Sequence, residues 1–113
     1  MKSMRSIFLM LSLLLPVTVL VSSAALAETK IEATIFSYDG NDFVRTQTTL
    51  SAEGQSATGT KLDHDSAAYK ALAEKRSYTG HATILGQDYQ ANYAPLISED
   101  GKLTGALFVG VPK

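Results

Sequence analysis

Leu103 to Val111 reads LTGALFVGV, and its apolar positions fall on both sides of an extended chain. Leu103, Leu107 and Val109 point one way, Thr104, Ala106 and Phe108 the other. Thr104 is the only polar side chain among them. The pattern therefore predicts a strand covered on both faces, in the middle of a sheet. Gly105 and Gly110 would let other backbone or a ligand approach closely.

Upstream, the chain divides into short elements. Thr29 to Tyr38 (TKIEATIFSY) alternates loosely and is rich in β-branched and aromatic residues, as a strand requires. Asp39-Gly40-Asn41-Asp42 is turn chemistry, and Phe43 to Leu50 returns as a second strand. The turn lacks the acid spacing and closing glutamate of a calcium loop. Ser51 to Thr60 (SAEGQSATGT) is small and polar and reads as a loop. A short helix is expected from about Ser66 to Lys75, capped by Asp65 or Ser66, with Ala68, Leu72 and Tyr69 on its buried side. Ser77 to Leu85 and Asp88 to Ile97 read as strands joined at Gly86-Gln87, and Glu99-Asp100-Gly101 turns into the last strand. The predicted order is β-β-α-β-β-β, an α+β fold.

The first 27 residues change the picture. Lys2 and Arg5 precede an apolar run from Ile7 to Val21, and Ala25-Leu26-Ala27 closes the segment, the three parts of a secretory signal. Cleavage is expected after Ala27, leaving Glu28 to Lys113 as one domain, soluble and periplasmic or secreted. The run of 15 residues is short for a spanning helix, which needs about 20. An uncleaved signal anchor is the alternative, and no stable membrane insertion is expected once the segment is removed. The net charge of −1 hides an uneven distribution. Of ten Lys and Arg, two lie before Glu28, so eight face eleven acids in the remainder, a formal charge of −3. That acidity argues against a nucleic-acid partner. The absence of cysteine excludes disulfides, thiolate zinc sites and a cysteine-borne lipid.

ATIFSYDGNDFVRTQTTL, GTKLD, AYKAL, SYTGHATILGQDYQANYAPL and GKLTGALFVGV, taken in that order, resemble the PAS-like Cache domains. They are most similar to the Cache 3/Cache 2 type of the extracytoplasmic parts of bacterial chemoreceptors and sensor kinases. The resemblance runs from about Ala33 to Val111. It implies a five-stranded antiparallel sheet in the order 2-1-5-4-3, with the last strand central, and a small ligand held between the sheet and the segment linking strands two and three, here Gly59 to Arg76. It departs from the family in lacking a long helix before strand one and any signalling helix or kinase after Val111. A stand-alone sensory input module is the expectation.

No catalytic set is visible, and no enzyme and no cofactor are expected: His64 and His81 lie in different elements, neither beside a nucleophile–base arrangement. Asp63, His64 and Asp65 could ligate a metal, but a solvated helix N-terminus accounts for them more simply. Arg45 stands in an otherwise uncharged strand, where a cation is costly unless it meets an anion. A solvated edge-strand charge or an ion pair with Asp42 would also account for it. Tyr78, Tyr89 and Tyr93 can offer an apolar wall and a hydroxyl, against the plainer role of core packing. Lys70 and His81 complete the candidate ligand-binding set. In resembling sequences a basic residue often stands at Asn92, and its absence here lowers the expected affinity for a di-acid or changes the ligand. The expected function is to bind a small carboxylate or amino acid and act with a membrane chemoreceptor or sensor kinase. The alternative is a protein–protein interaction module without a ligand. One helix can cover only one face of the sheet, so the chain is expected to pair as a homodimer or against another protein's sheet face.

Overall fold

The computed structural model describes residues 30–113, so the secretory-signal reading of the first 27 lies outside the described residues. β1 (Glu32–Tyr38) and β2 (Phe43–Thr48) form a hairpin. The Asp39 carboxylate closes its turn, with Oδ1 accepting from the Asn41 and Asp42 amides at 2.9 and 2.7 Å. β5 (Tyr78–Ile84), β6 (Gln87–Ile97) and β7 (Leu103–Pro112) form an antiparallel meander. These five strands make one sheet in the order β2-β1-β7-β6-β5, so the last strand stands in its centre.

The strand count exceeds the sequence expectation by two. Within the stretch read as a loop, β3 (Ser51–Ala52) and β4 (Gln55–Ser56) pair about Glu53 and Gly54, both at positive φ. Two-residue strands whose side chains are all exposed leave no alternation to read.

α1 (Ala67–Ala73) is shorter than its sequence signal. The Ser66 hydroxyl accepts from the Tyr69 amide at 3.1 Å and caps its start. At the other end the Lys75 and Arg76 amides reach back to the carbonyls of Leu72 and Ala71, with Lys75 at φ 63°, a left-handed terminus made without glycine. Ala68, Ala71 and Leu72 are buried against β5 and β6.

The core lies on the α1 side of the sheet. Phe36, Phe43, Tyr93 and Phe108 pack there ring against ring, with centroids 5.0–6.3 Å apart, together with Leu50, Leu62, Leu72 and Ile84. The expectation that β7 is covered on both faces is corrected. Phe108 is 1% exposed and Ala106 is fully buried, but Leu107 and Val109 are 41% and 49% exposed. α1 and its flanking loops cover one face, and no described element lies across the other. Among the described residues no helix is long and apolar enough to cross a membrane.

Candidate functional site

A cavity of about 410 Å³ opens between the end of the sheet and the segment before α1. Arg45, Tyr78, Ala82, Ile84 and Tyr93 come from the sheet, and Lys61 to Asp63 and Asp65 to Ala68 from the covering segment. That volume is within the range of small-molecule sites.

Arg45 forms the floor. It lies two residues after buried Phe43 and stands opposite Phe36, ahead of a bulge in the β1–β2 pairing, so its side chain points inward instead of to solvent. The residue is 3% exposed. The readings of Arg45 as a solvated edge charge or as an Asp42 partner are both corrected. Asp42 is engaged by Lys61 at 3.3 Å and by His64 Nε2 at 2.7 Å. The Arg45 guanidinium donates through Nη1 to Thr60 Oγ1 at 3.0 Å and to the Lys61 carbonyl at 3.1 Å. Its Nε–H is buried and meets no acceptor. Burial weakens its hold on the proton, and only the neighbouring Tyr93 phenol opposes that shift. The group is still cationic at any physiological pH. A buried cation with an orphaned donor is costly, and an anion is the chemistry that would satisfy it.

Tyr93 lies beside it, 1% exposed, its phenol pushed up to about 12 by burial although Arg45 acts to lower it. It is therefore a neutral donor at working pH. Tyr78 borders the cavity with its ring, and its hydroxyl donates to the His81 carbonyl at 2.6 Å. Ser66, Asp63 and Asp65 line the cavity from the covering segment, with Asp63 Oδ1 accepting from the Asp65 amide. Paired acids just ahead of a serine cap were legible as a helix start. Nothing in the pattern placed them at the cavity that Arg45 also lines.

Of the six candidates, the fold brings Arg45, Tyr78, His81 and Tyr93 to one cavity. His81 reaches it only from the edge strand. Pairing with Gln90 puts its side chain on the opposite face from Tyr78 and Ala82, and its imidazole lies 3.2 Å from Asp88. Tyr89 does not line the cavity: it is buried edge-on against Phe108. Lys70 is exposed on α1, away from the lining. Asn92 is exposed and pairs with Thr79 and Val109, on the face away from Tyr93, so the residue there does not bear on the cavity. Asp63, His64 and Asp65 do not converge. His64 stacks on Tyr69 at 4.1 Å and turns to Asp42, while Asp63 caps the Asp65 amide.

The covering segment, from Lys61 into α1, is the cavity's lid and is latched to the β1–β2 hairpin. Besides the Asp42 contacts, Tyr69 donates its hydroxyl to the Asn41 carbonyl at 2.5 Å, and Val44 bridges Lys61.

Residues 22–113 match the family model of the Cache 3/Cache 2 fusion domain. The chain belongs to the Cache family. Cache domains are sensory modules, typically extracytoplasmic, and sensing, not catalysis, is their function. No curated protein and no solved structure matches the chain. In this Cache domain the cavity under the segment between β2 and β5 holds the most strongly desolvated cation among the described residues.

Proposed function

We propose that this Cache domain is an exported sensory module that binds a small carboxylate, or an amino acid, in the cavity above Arg45. The observation that carries the reading is the buried guanidinium whose Nε–H has no acceptor. A ligand carboxylate would accept from it, and the Tyr93 phenol stands ready as a second donor. For an amino acid, Asp63 or Asp65 on the lid side would meet the ammonium group. Apolar Ala82, Ile84 and Leu62 leave room for a short aliphatic part. Export follows from the basic, apolar and Ala25-Leu26-Ala27 order of the leader, and mass spectrometry of exported protein is expected to start at Glu28. The output in this reading passes to a membrane chemoreceptor or sensor kinase, through a lid whose closure depends on the ligand.

The test is thermal unfolding of the purified chain against a panel of small carboxylates and L-amino acids. A ligand that binds only the folded state at 100 times its Kd adds about 2.7 kcal/mol. Loss of that response in Arg45→Met would tie it to the cavity. No response across the panel would favour the second reading, an interaction module without a ligand, for which the exposed apolar sheet face speaks.

A further inference from the structure

The sheet face turned away from α1 is set by the pairing register. Thr34, Phe36, Ala106 and Phe108 point into the core, so the intervening residues of β1 and β7 point outward. Ala33 pairs with Val109 and Ile35 with Leu107. Ile31, Ile35, Leu107, Val109 and Val111 lie 37–57% exposed. At the small Ala33 the surface dips into a shallow depression of about 400 Å³, rimmed by Ile35, Gln47, Thr49, Leu107 and Val109. Across β6 the outward partners of Val111, Val109 and Leu107 are Gln90, Asn92 and Ala94. Across β2 the outward partners of Ser37 and Ile35 are Val44 and Gln47. Across β2, β1 and β7 the face therefore carries no charge; on β6 it ends at Asp88, which shares the outward parity of Gln90 and Asn92 and pairs with His81 of β5 at 3.2 Å.

We infer that this face is the interface between two copies of the chain, packed sheet on sheet about a twofold axis. Three observations favour a second copy over other occupants. The first is size. Five strands spaced about 4.8 Å apart, and about seven residues long at about 3.3 Å each, present roughly 550 Å² in projection. Side-chain relief brings the accessible area near the about 800 Å² per partner of a standard interface. The second is electrostatics. The uncharged band of β2, β1 and β7 meets its own copy without like-charge repulsion, with Asp88 and His81 paired at its margin, whereas an anionic lipid surface would call for Lys or Arg on that band. The third is shape. The depression at Ala33 lies beside the exposed Leu107 and Val109 on the same face, so a twofold axis can seat those side chains of each copy in the depression of the other, the self-complementarity that isologous contact requires. The cavity at Arg45 opens on the other side of the sheet, so pairing leaves it accessible.

Sedimentation velocity of the purified chain, its N-terminus read by mass spectrometry, tests the inference between 1 and 100 μM. The expected result is a dimer at low micromolar concentration. Val109→Lys is expected to weaken it at least 100-fold while circular dichroism and the cooperative melt stay intact. Because the chain has no cysteine, a second assay is independent of that variant. Under mild oxidation Val109→Cys is expected to give a covalent dimer, and Lys70→Cys on α1 is not. A monomer at 100 μM, or a dimer that survives Val109→Lys and crosslinks through Lys70→Cys, overturns the inference. So does a monomer that floats with neutral phosphatidylcholine vesicles, which would assign the face to lipid.

Discussion

Arg45 and Phe36 face each other across β2 and β1, with the guanidinium carbon 5.3 Å from the ring centroid. The ring supports the cation without neutralising it, an attraction of about 0.5–2 kcal/mol. Together with the two Nη1 hydrogen bonds it fixes the guanidinium in place. The cost of a buried charge is thus only partly offset in the fold, and the remainder is available to an anion.

Arg45→Met should separate binding from folding. A methionine keeps much of the stem's packing and removes a buried, unpaired charge, a change that is often neutral or stabilising. The melting temperature without ligand is expected to stay within about 5 °C of wild type, roughly 1 kcal/mol for a domain of this size. The carboxylate-dependent rise should vanish. A variant that keeps the full rise would remove Arg45 from the site.

The two sides of β7 should respond differently. Phe108→Ala empties a fully enclosed site and is expected to cost about 3–5 kcal/mol in urea unfolding. Leu107→Ala, at a 41% exposed position, should cost less than about 1 kcal/mol in the monomer. Equal losses would mean that something covers the outer face too.

Gly105 tolerates no side chain. A Cβ there would lie 2.2 Å from the Phe36 carbonyl oxygen, which is backbone held in the β1–β7 pairing. Gly105→Ala should part the strands or prevent folding, lowering the melting temperature by at least 10 °C. A shift of a degree or two would show that β1 can move aside.

Tyr93 gives a pH signature. Its phenol ionises near pH 10 in an unfolded chain and at about 12 in the fold, because burial disfavours the phenolate. The stability tied to it is whole below pH 10 and is lost as the pH rises towards 12, on the order of 2–3 kcal/mol. Absorbance at 295 nm should show Tyr93 titrating latest of the five phenols, or together with unfolding, and Tyr93→Phe should remove that last step. Five phenols all titrating near pH 10 in a folded protein would contradict the burial.

Asp42 should govern the lid. Its carboxyl is held below the usual range chiefly by His64, with Lys61 assisting and burial opposing. Its contribution is present above about pH 4 and fades as the pH falls through that lowered value. Asp42→Asn is expected to speed amide exchange of residues 61–65 at neutral pH while the core of β7 stays protected. Unchanged exchange would show that Tyr69 and the Val44 bridge hold the lid alone.

Much of the fold was legible because it is local chemistry. Alternation marked β1, a run apolar on both sides marked β7, Asp39-Gly40-Asn41-Asp42 marked the hairpin turn, and Asp65 or Ser66 marked the start of α1. Residue type likewise flagged Arg45, a lone cation among uncharged strand neighbours. Other features depend on what lies across the sheet, which no local pattern encodes. Alternation says that Leu107 and Phe108 point opposite ways, but only the position of α1 decides that Phe108 is enclosed and Leu107 is bare. The hairpin register set Arg45 opposite Phe36, on the inward side with Phe43. Strand parity sent His81 and Asn92 to the far face, and packing placed Tyr89 against Phe108, away from the cavity. The sequence determined the elements and the chemical identity of the cation, because those rest on backbone preference and side-chain type. The tertiary structure decided which groups share a cavity and which face stays open, because both depend on register and on where one short helix lies.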